Sequence, residues 1–207
     1  DWLPGAELRA ALRAISRSAE SSLLEYGVPL GFRPLRELLA RRLNEIDIPA
    51  TPERLMLVDG ASQAIDLVCR YLVEPGDAVL VDDPGYFNFH TVVRVQGGRL
   101  VPVPVTPHGP DLDALEKLAA VHAPKLYIVN SGLQNPTNGR LSPTTAHRLL
   151  GLAQRFSFRI LEDDIFRDYE AQPNPRLGAL DGLAHVIHMS SFSKTLSAAT
   201  QIGRAHV

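Results

Sequence analysis

Six short runs rich in Val, Ile and Leu dictate the fold class: residues 55–58, 78–81, 100–105, 126–129, 159–161 and 186–189. Most carry apolar side chains at consecutive positions, so both faces of each strand need cover. Between most of them the apolar spacing switches to a helical period, over 61–73, 112–121 and 144–156. Strands apolar on both faces, alternating with helices, predict a parallel sheet between helical layers, an α/β architecture. Ahead of the first run, 7–15 and 32–43 place Leu and Ile at helical spacing and read as surface helices. The turn sequence YGVPLGFRP separates them.

A covered sheet needs a sizeable core, and a chain of 207 residues that is 45% hydrophobic and 21% charged can bury one. The formal net charge of -2 offers no basic stripe for nucleic-acid phosphates, so this chain is not expected to touch DNA itself. Cys69 is the only cysteine, which excludes an internal disulfide and a Cys-based zinc site and points to a reducing compartment. The seven histidines show no metal-ligand spacing. No apolar run reaches the roughly 18 residues of a membrane span, and the first residues lack the order of a secretion signal. Cytoplasm is the expected location. The chain opens on Asp1 with no initiator Met and is expected to be cut from a longer one.

In parallel sheets ligands collect at the carboxyl ends of the strands, so the residues following each run weigh most. Gly60, Ala61 and Ser62 turn from a strand into a helix, where free N–H groups and the helix dipole favour a phosphate ester. The turn is neither a P-loop nor a G-x-G-x-x-G fingerprint, which argues against a nucleotide-binding domain. Lys194, in SSFSKTLS, stands where a lysine in a partly dry pocket can lose its proton and attack an aldehyde. Asp163, in ILEDDIF, can keep a ring nitrogen protonated and an electron sink active. Asn135 can donate its amide to a phenolic oxygen, and Tyr86 can lie flat on an aromatic ring. Each has an ordinary counterpart: a helix start, a solvated lysine, a helix cap, an Asn-Pro turn. Their order, one at each successive strand end, agrees on a single ligand, pyridoxal 5'-phosphate.

The segments YGVPLGFRPLRELLARRL, DGASQAIDLV, DDPGYFNF, NSGLQNPTNG, ILEDDIF and SSFSKTLSA follow the order of the motifs of the fold type I pyridoxal-phosphate enzymes, aminotransferase class I/II. Over residues 8–200 the chain resembles that family, and most closely the aminotransferase-like domain of MocR-type regulators in the GntR family. The resemblance implies a three-layer α/β/α large domain with a mostly parallel sheet, incomplete here. It implies that Lys194 is the Schiff-base lysine, that Asp163 pairs with the pyridinium nitrogen, that Asn135 bonds the ring hydroxyl and that Tyr86 stacks on the ring. Gly60, Ala61, Ser62 and Ser191 would hold the phosphate. Tyr26 would reach the phosphate of the partner subunit in a homodimer. Residues 1–45 then form an N-terminal helical segment with the dimer-contacting turn, and 46–200 the partial cofactor-binding domain.

Three positions depart from the family pattern. Phe166 stands where many members carry a tyrosine that bonds the ring oxygen. Asn138 replaces the usual glycine after the threonine of NPTNG, and asparagine is among the few residues that tolerate a left-handed backbone. Gln201 stands in place of a phosphate-binding arginine, and the IGRAHV after it matches a translation of common sequencing-adapter DNA. Residues 201–207 are therefore expected to be a non-native tail, with the small C-terminal domain absent. By resemblance, the strand after Lys194 is the sheet's single antiparallel member, between 55–58 and 186–189. An end near Thr200 is expected to remove it and leave the fragment partly folded or aggregating, a poor binder of pyridoxal phosphate and inactive on its own. Two functions share the pocket. One is the effector-sensing domain of a MocR-type regulator, binding an amino compound and reaching DNA only through a separate domain. The other is a free-standing aminotransferase acting on an amino acid, with Lys194 as general base.

Overall fold

The computed structural model describes residues 3–18, 26–171, 174–197 and 202–206. In chain order these form α1 (Gly5–Ser18), α2 (Arg33–Asn44), β1 (Leu55–Asp59), α3 (Ala61–Leu72), β2 (Ala78–Asp83), α4 (Phe87–Val95), β3 (Arg99–Thr106) and β4 (Gly109–Pro110). They continue with α5 (Leu112–His122), β5 (Leu126–Asn130), α6 (Pro143–Phe156), β6 (Arg159–Asp163), α7 (Leu177–Asp181), β7 (Val186–Ser191) and β8 (Ile202–His206). Short 3-10 turns lie at Pro52–Arg54 and Arg167–Tyr169.

The strands make one sheet in the order β1-β8-β7-β6-β5-β2-β3-β4. Pairing is parallel from β7 through β3. Successive side chains on each strand leave the sheet on opposite faces. On one face Leu80, Val103, Tyr127 and Ile160 pack with Leu115 of α5 and Leu149 of α6. On the other, Val79, Val81, Ile128 and Leu161 pack with Ile65 and Val68 of α3 and Val93 of α4. That is why β5 is buried at all five positions and reads as a continuous apolar run. A third cluster joins Leu39 and Leu43 of α2 to Ile48, Leu55 and Leu183. The six sequence runs are β1, β2, β3, β5, β6 and β7, and the layers are the predicted α/β/α.

Helix boundaries follow local chemistry. The Asp111 carboxylate accepts from the N–H groups of Asp113 and Ala114 at the start of α5. The Ser142 hydroxyl accepts from Thr145 N–H, with Pro143 in the first turn of α6. Gly31, at φ 86, lets the turn before α2 press onto β1, where a Cβ would meet the Leu57 Cβ at 2.7 Å.

Two expectations about the sheet are corrected. The strand expected to be missing is present: β8 runs antiparallel between β1 and β7, pairing Leu55 with His206 on one side and Ser191 with Gly203 on the other. Its predicted position is right and its predicted loss is wrong. Ladder pairing draws only on main-chain N–H and C=O groups, and 202–206 contains no proline to withhold one. The slot between β1 and β7 is therefore filled. Nor is β8 the single antiparallel member, because β4 makes a two-residue antiparallel edge on β3.

Candidate functional site

The carboxyl ends of β1, β5, β6 and β7 open on one cleft of about 290 Å³. Its wall brings together Gly60, Ala61, Ser62, Tyr86, Asn135, Asp163 and Lys194, seven of the nine residues singled out in the sequence. Asp59, Phe89, Asn130, Phe166 and Ser193 complete its polar and aromatic lining.

The β1 side is a helix start. Gly60 caps α3 at φ 84, with no side-chain cap and no acidic residue in the first turn. The opening N–H groups of α3 carry the positive end of the helix dipole, with the Asp59 carboxylate, one residue before the cap, in the same cleft lining. The Ser62 hydroxyl accepts the Asn88 amide at 2.9 Å and keeps its own proton to donate. Tyr86 sits at the N-terminus of α4, edge-on to Phe89 with ring centroids 5.4 Å apart.

The β5 and β6 ends are neighbours in register, Asn130 beside Asp163. Asp163 is buried, and burial pushes its carboxyl up to about 7 against the opposing pull of hydrogen bonds from Ile165 N–H and the Asn130 amide. Asn135 lies on a loop that Gln134 ties down: the Gln134 amide donates to the Pro84 carbonyl at 2.8 Å and accepts from Thr137 N–H at 2.9 Å. One side chain so links the Asn135 loop to the segment leading into Tyr86. Asn138 adopts φ 58, the left-handed conformation its residue type allows.

Two placements, those of Ser191 and Lys194, differ from expectation. Ser191 is buried at the end of β7 and its hydroxyl accepts Ser193 N–H at 3.1 Å, while Ser193 is the serine that lines the cleft. Lys194 lines the cleft but is exposed, so the partly dry setting expected for it is not found among the described residues. Tyr26 is fully exposed and outside the lining of its own cleft. Gln201 lies outside the described residues. Asn130 was missed as a site residue, although its place at a strand end was a usable signal. Among the described residues no group of His, Cys, Asp and Glu is arranged to hold a metal ion.

The family model for aminotransferase class I and II matches residues 3–204. The 2-aminoadipate transaminase of Thermus thermophilus is 33% identical over 99% of this chain and 52% of its own length. A probable rhizopine catabolism regulatory protein, MocR of Rhizobium meliloti, is 29% identical over 93% of this chain and 39% of its own. Among solved structures, LysN, the alpha-aminoadipate aminotransferase of Thermus thermophilus complexed with N-(5'-phosphopyridoxyl)-L-leucine, superposes with a TM-score of 0.92. It is 31% identical and covers 100% of this chain and 53% of that one. The chain spans about half the length of the relatives it matches. The chain belongs to the aminotransferase class I and II family and has the large-domain fold of the fold type I pyridoxal-phosphate aminotransferases.

Proposed function

We propose that this chain binds pyridoxal 5'-phosphate in the cleft at the ends of β1, β5, β6 and β7, with Lys194 as its covalent anchor. One observation carries the reading: residues as far apart in sequence as Gly60 and Lys194, each with a different fitting chemistry, line a single cleft.

The donor set suits the group. A phosphate would meet the free N–H groups of α3, the Ser62 hydroxyl and the Ser193 hydroxyl, with the helix dipole behind them. Ser191 would shape that turn from beneath. At the far end, Asp163 is a buried carboxyl near neutrality, and a protonated ring nitrogen would supply the counter-charge that favours its ionised form. Asn135 would donate to the ring oxygen and Tyr86 would cover one face of the ring, while Phe166 adds an apolar wall with no hydroxyl. When bound, the cofactor supplies an aldehyde carbon and an electron-withdrawing ring. Lys194 supplies the amine that holds the aldehyde carbon and, once displaced, a base for an amino acid's α-proton. Tyr26, exposed and outside the lining of its own cleft, suits a contact with the phosphate of a partner subunit in a homodimer.

For the whole protein we retain the regulator setting, in which the pocket senses an amino compound and a separate domain meets DNA. The 33% identity to a transaminase favours a second reading, a free-standing aminotransferase acting on an amino acid. In either setting we place the protein in the cytoplasm. No described helix is long and apolar enough to cross a membrane.

Borohydride trapping of pyridoxal phosphate on the whole protein, followed by peptide mapping, tests the site. Label on Lys194, lost in Lys194→Ala, is expected; label elsewhere overturns the assignment. Amino acids added to the loaded protein then separate the settings: release of an oxo acid indicates transfer, and a spectral change without release indicates sensing.

A further inference from the structure

The turn that carries Lys194 is short. Beyond β7, the N–H groups of Thr195, Leu196 and Ser197 all converge on the Phe192 carbonyl, at 3.2, 2.9 and 3.3 Å. Donors that share one acceptor hold a turn less firmly than a ladder in which each has its own. The Lys194 carbonyl takes its bond from another segment: the Tyr169 hydroxyl donates to it at 2.5 Å. Tyr169 closes the 3-10 turn Arg167–Tyr169, which follows β6 and Asp163. Its ring lies edge-on to Phe166, centroids 6.3 Å apart, which sets the direction of the phenol.

That 3-10 turn is anchored from below. Glu170, the next residue, pairs with the buried Arg176, whose Nε also donates to Asp164 Oδ1 at 2.7 Å. One buried guanidinium therefore holds the neighbour of Asp163 and the neighbour of Tyr169. The phenol reaches from this fixed platform to the lysine turn.

We propose that Tyr169 is a positioning residue for Lys194: its hydroxyl clasps the main chain of the lysine turn to the segment after β6, and so fixes where the lysine amine stands relative to Asp163. It acts through Lys194 and not on the reacting atoms. The consequence for cofactor loading rests on the reading that Lys194 anchors pyridoxal phosphate, but the clasp is a feature of the protein alone, so the two are tested apart.

Backbone amide hydrogen exchange on the cofactor-free whole protein compares the wild type with Tyr169→Phe, which removes only the hydroxyl, and Tyr169→Leu, which removes the ring as well. Loss of one hydrogen bond is expected to speed exchange at Thr195, Leu196 and Ser197 by about two- to ten-fold in both variants, with β5 and β6 unchanged. The rate at which pyridoxal phosphate becomes trapped on Lys194 is expected to fall by a similar factor in Tyr169→Phe, with cooperative urea unfolding retained. Exchange that is faster only in Tyr169→Leu would assign the hold to the ring and overturn the proposal. Unchanged exchange, or faster exchange with normal loading, overturns it as well. A wild type that never loads on Lys194 defeats the cofactor reading, and the exchange comparison still decides the clasp.

Discussion

The Asn130 side-chain amide donates to Asp163 Oδ2 at 2.9 Å, while Asp163 Oδ1 accepts Ile165 N–H at 3.2 Å. Each carboxylate oxygen has a protein donor, which favours the ionised form against burial and fixes the plane of the group. A hydrogen bond to a charged group contributes about 1.5 to 3 kcal/mol. Asn130→Ala is therefore expected to weaken pyridoxal phosphate binding by roughly ten- to a hundred-fold. Asn130→Thr, which keeps a donor, should recover part of the loss. Equilibrium titration of the whole protein checks this, and equal affinities for wild type and Asn130→Ala would remove Asn130 from the site.

Arg176 supports the β6 end from inside the fold. It bonds Asp164, Glu170 and the Asn174 carbonyl, and the His188 Nε2 lies 3.1 Å from the other oxygen of Asp164. Arg176→Met would leave Asp164 and Glu170 buried without their cation. Breaking a buried pair from one side costs about 3 to 5 kcal/mol, because a charge stays behind in low dielectric. Urea unfolding is expected to show a loss of that size. Arg176→Met together with Glu170→Leu should lose less than Arg176→Met alone, since one stranded charge goes with it.

Tyr26, ahead of α2, offers its whole side chain to solvent, and α1 exposes Leu12 and Ile15 on its apolar face. Apolar side chains left bare along one segment suit burial against a second subunit. The expected outcome by sedimentation is a homodimer when loaded with pyridoxal phosphate, with Tyr26→Ala lowering cofactor affinity. A monomer with full affinity would refute the shared site.

The parallel core was legible because strands covered on both faces need consecutive apolar residues, and Leu126, Tyr127, Ile128 and Val129 have no other reading at that length. α4 was not, since FNFHTVV mixes aromatic and β-branched residues that suit either a helix or a strand, and its start depends on the chain turning at Pro84 and Gly85. β8 was misjudged for a different reason. Strand pairing at a prepared slot depends on two flanking strands and hardly on side-chain type, so a segment read as foreign to the family can still fill it, and the family model itself runs on to residue 204. At the site, strand-end position picked out Lys194, Asp163 and Asn135. Ser193 against Ser191, by contrast, turned on which of two near neighbours points into a cleft, a matter of turn geometry that composition does not encode.

Asp82 gives a pH test independent of the cofactor. It is buried at the end of β2, accepts the Tyr127 hydroxyl at 2.5 Å, and burial pushes its carboxyl up to about 7. In the unfolded chain it titrates near the ordinary 3.8. Between those values the folded state holds a proton that the unfolded state has lost. The stabilising contribution of this group is therefore complete below about pH 4 and disappears as pH rises through 7. Asp82→Asn keeps an acceptor for Tyr127 and cannot ionise. At pH 4 the variant and the wild type are expected to unfold at similar urea concentrations. By pH 8 the variant should be the more stable, by at most ~4 kcal/mol, the free-energy equivalent of the shift. The difference between the two curves isolates Asp82 from Asp163, whose carboxyl is raised by the same cause and is unchanged in both proteins. A difference that stays flat from pH 4 to 8 would mean that Asp82 ionises freely in the folded protein, and that the Tyr127 hydroxyl binds a carboxylate already charged at low pH.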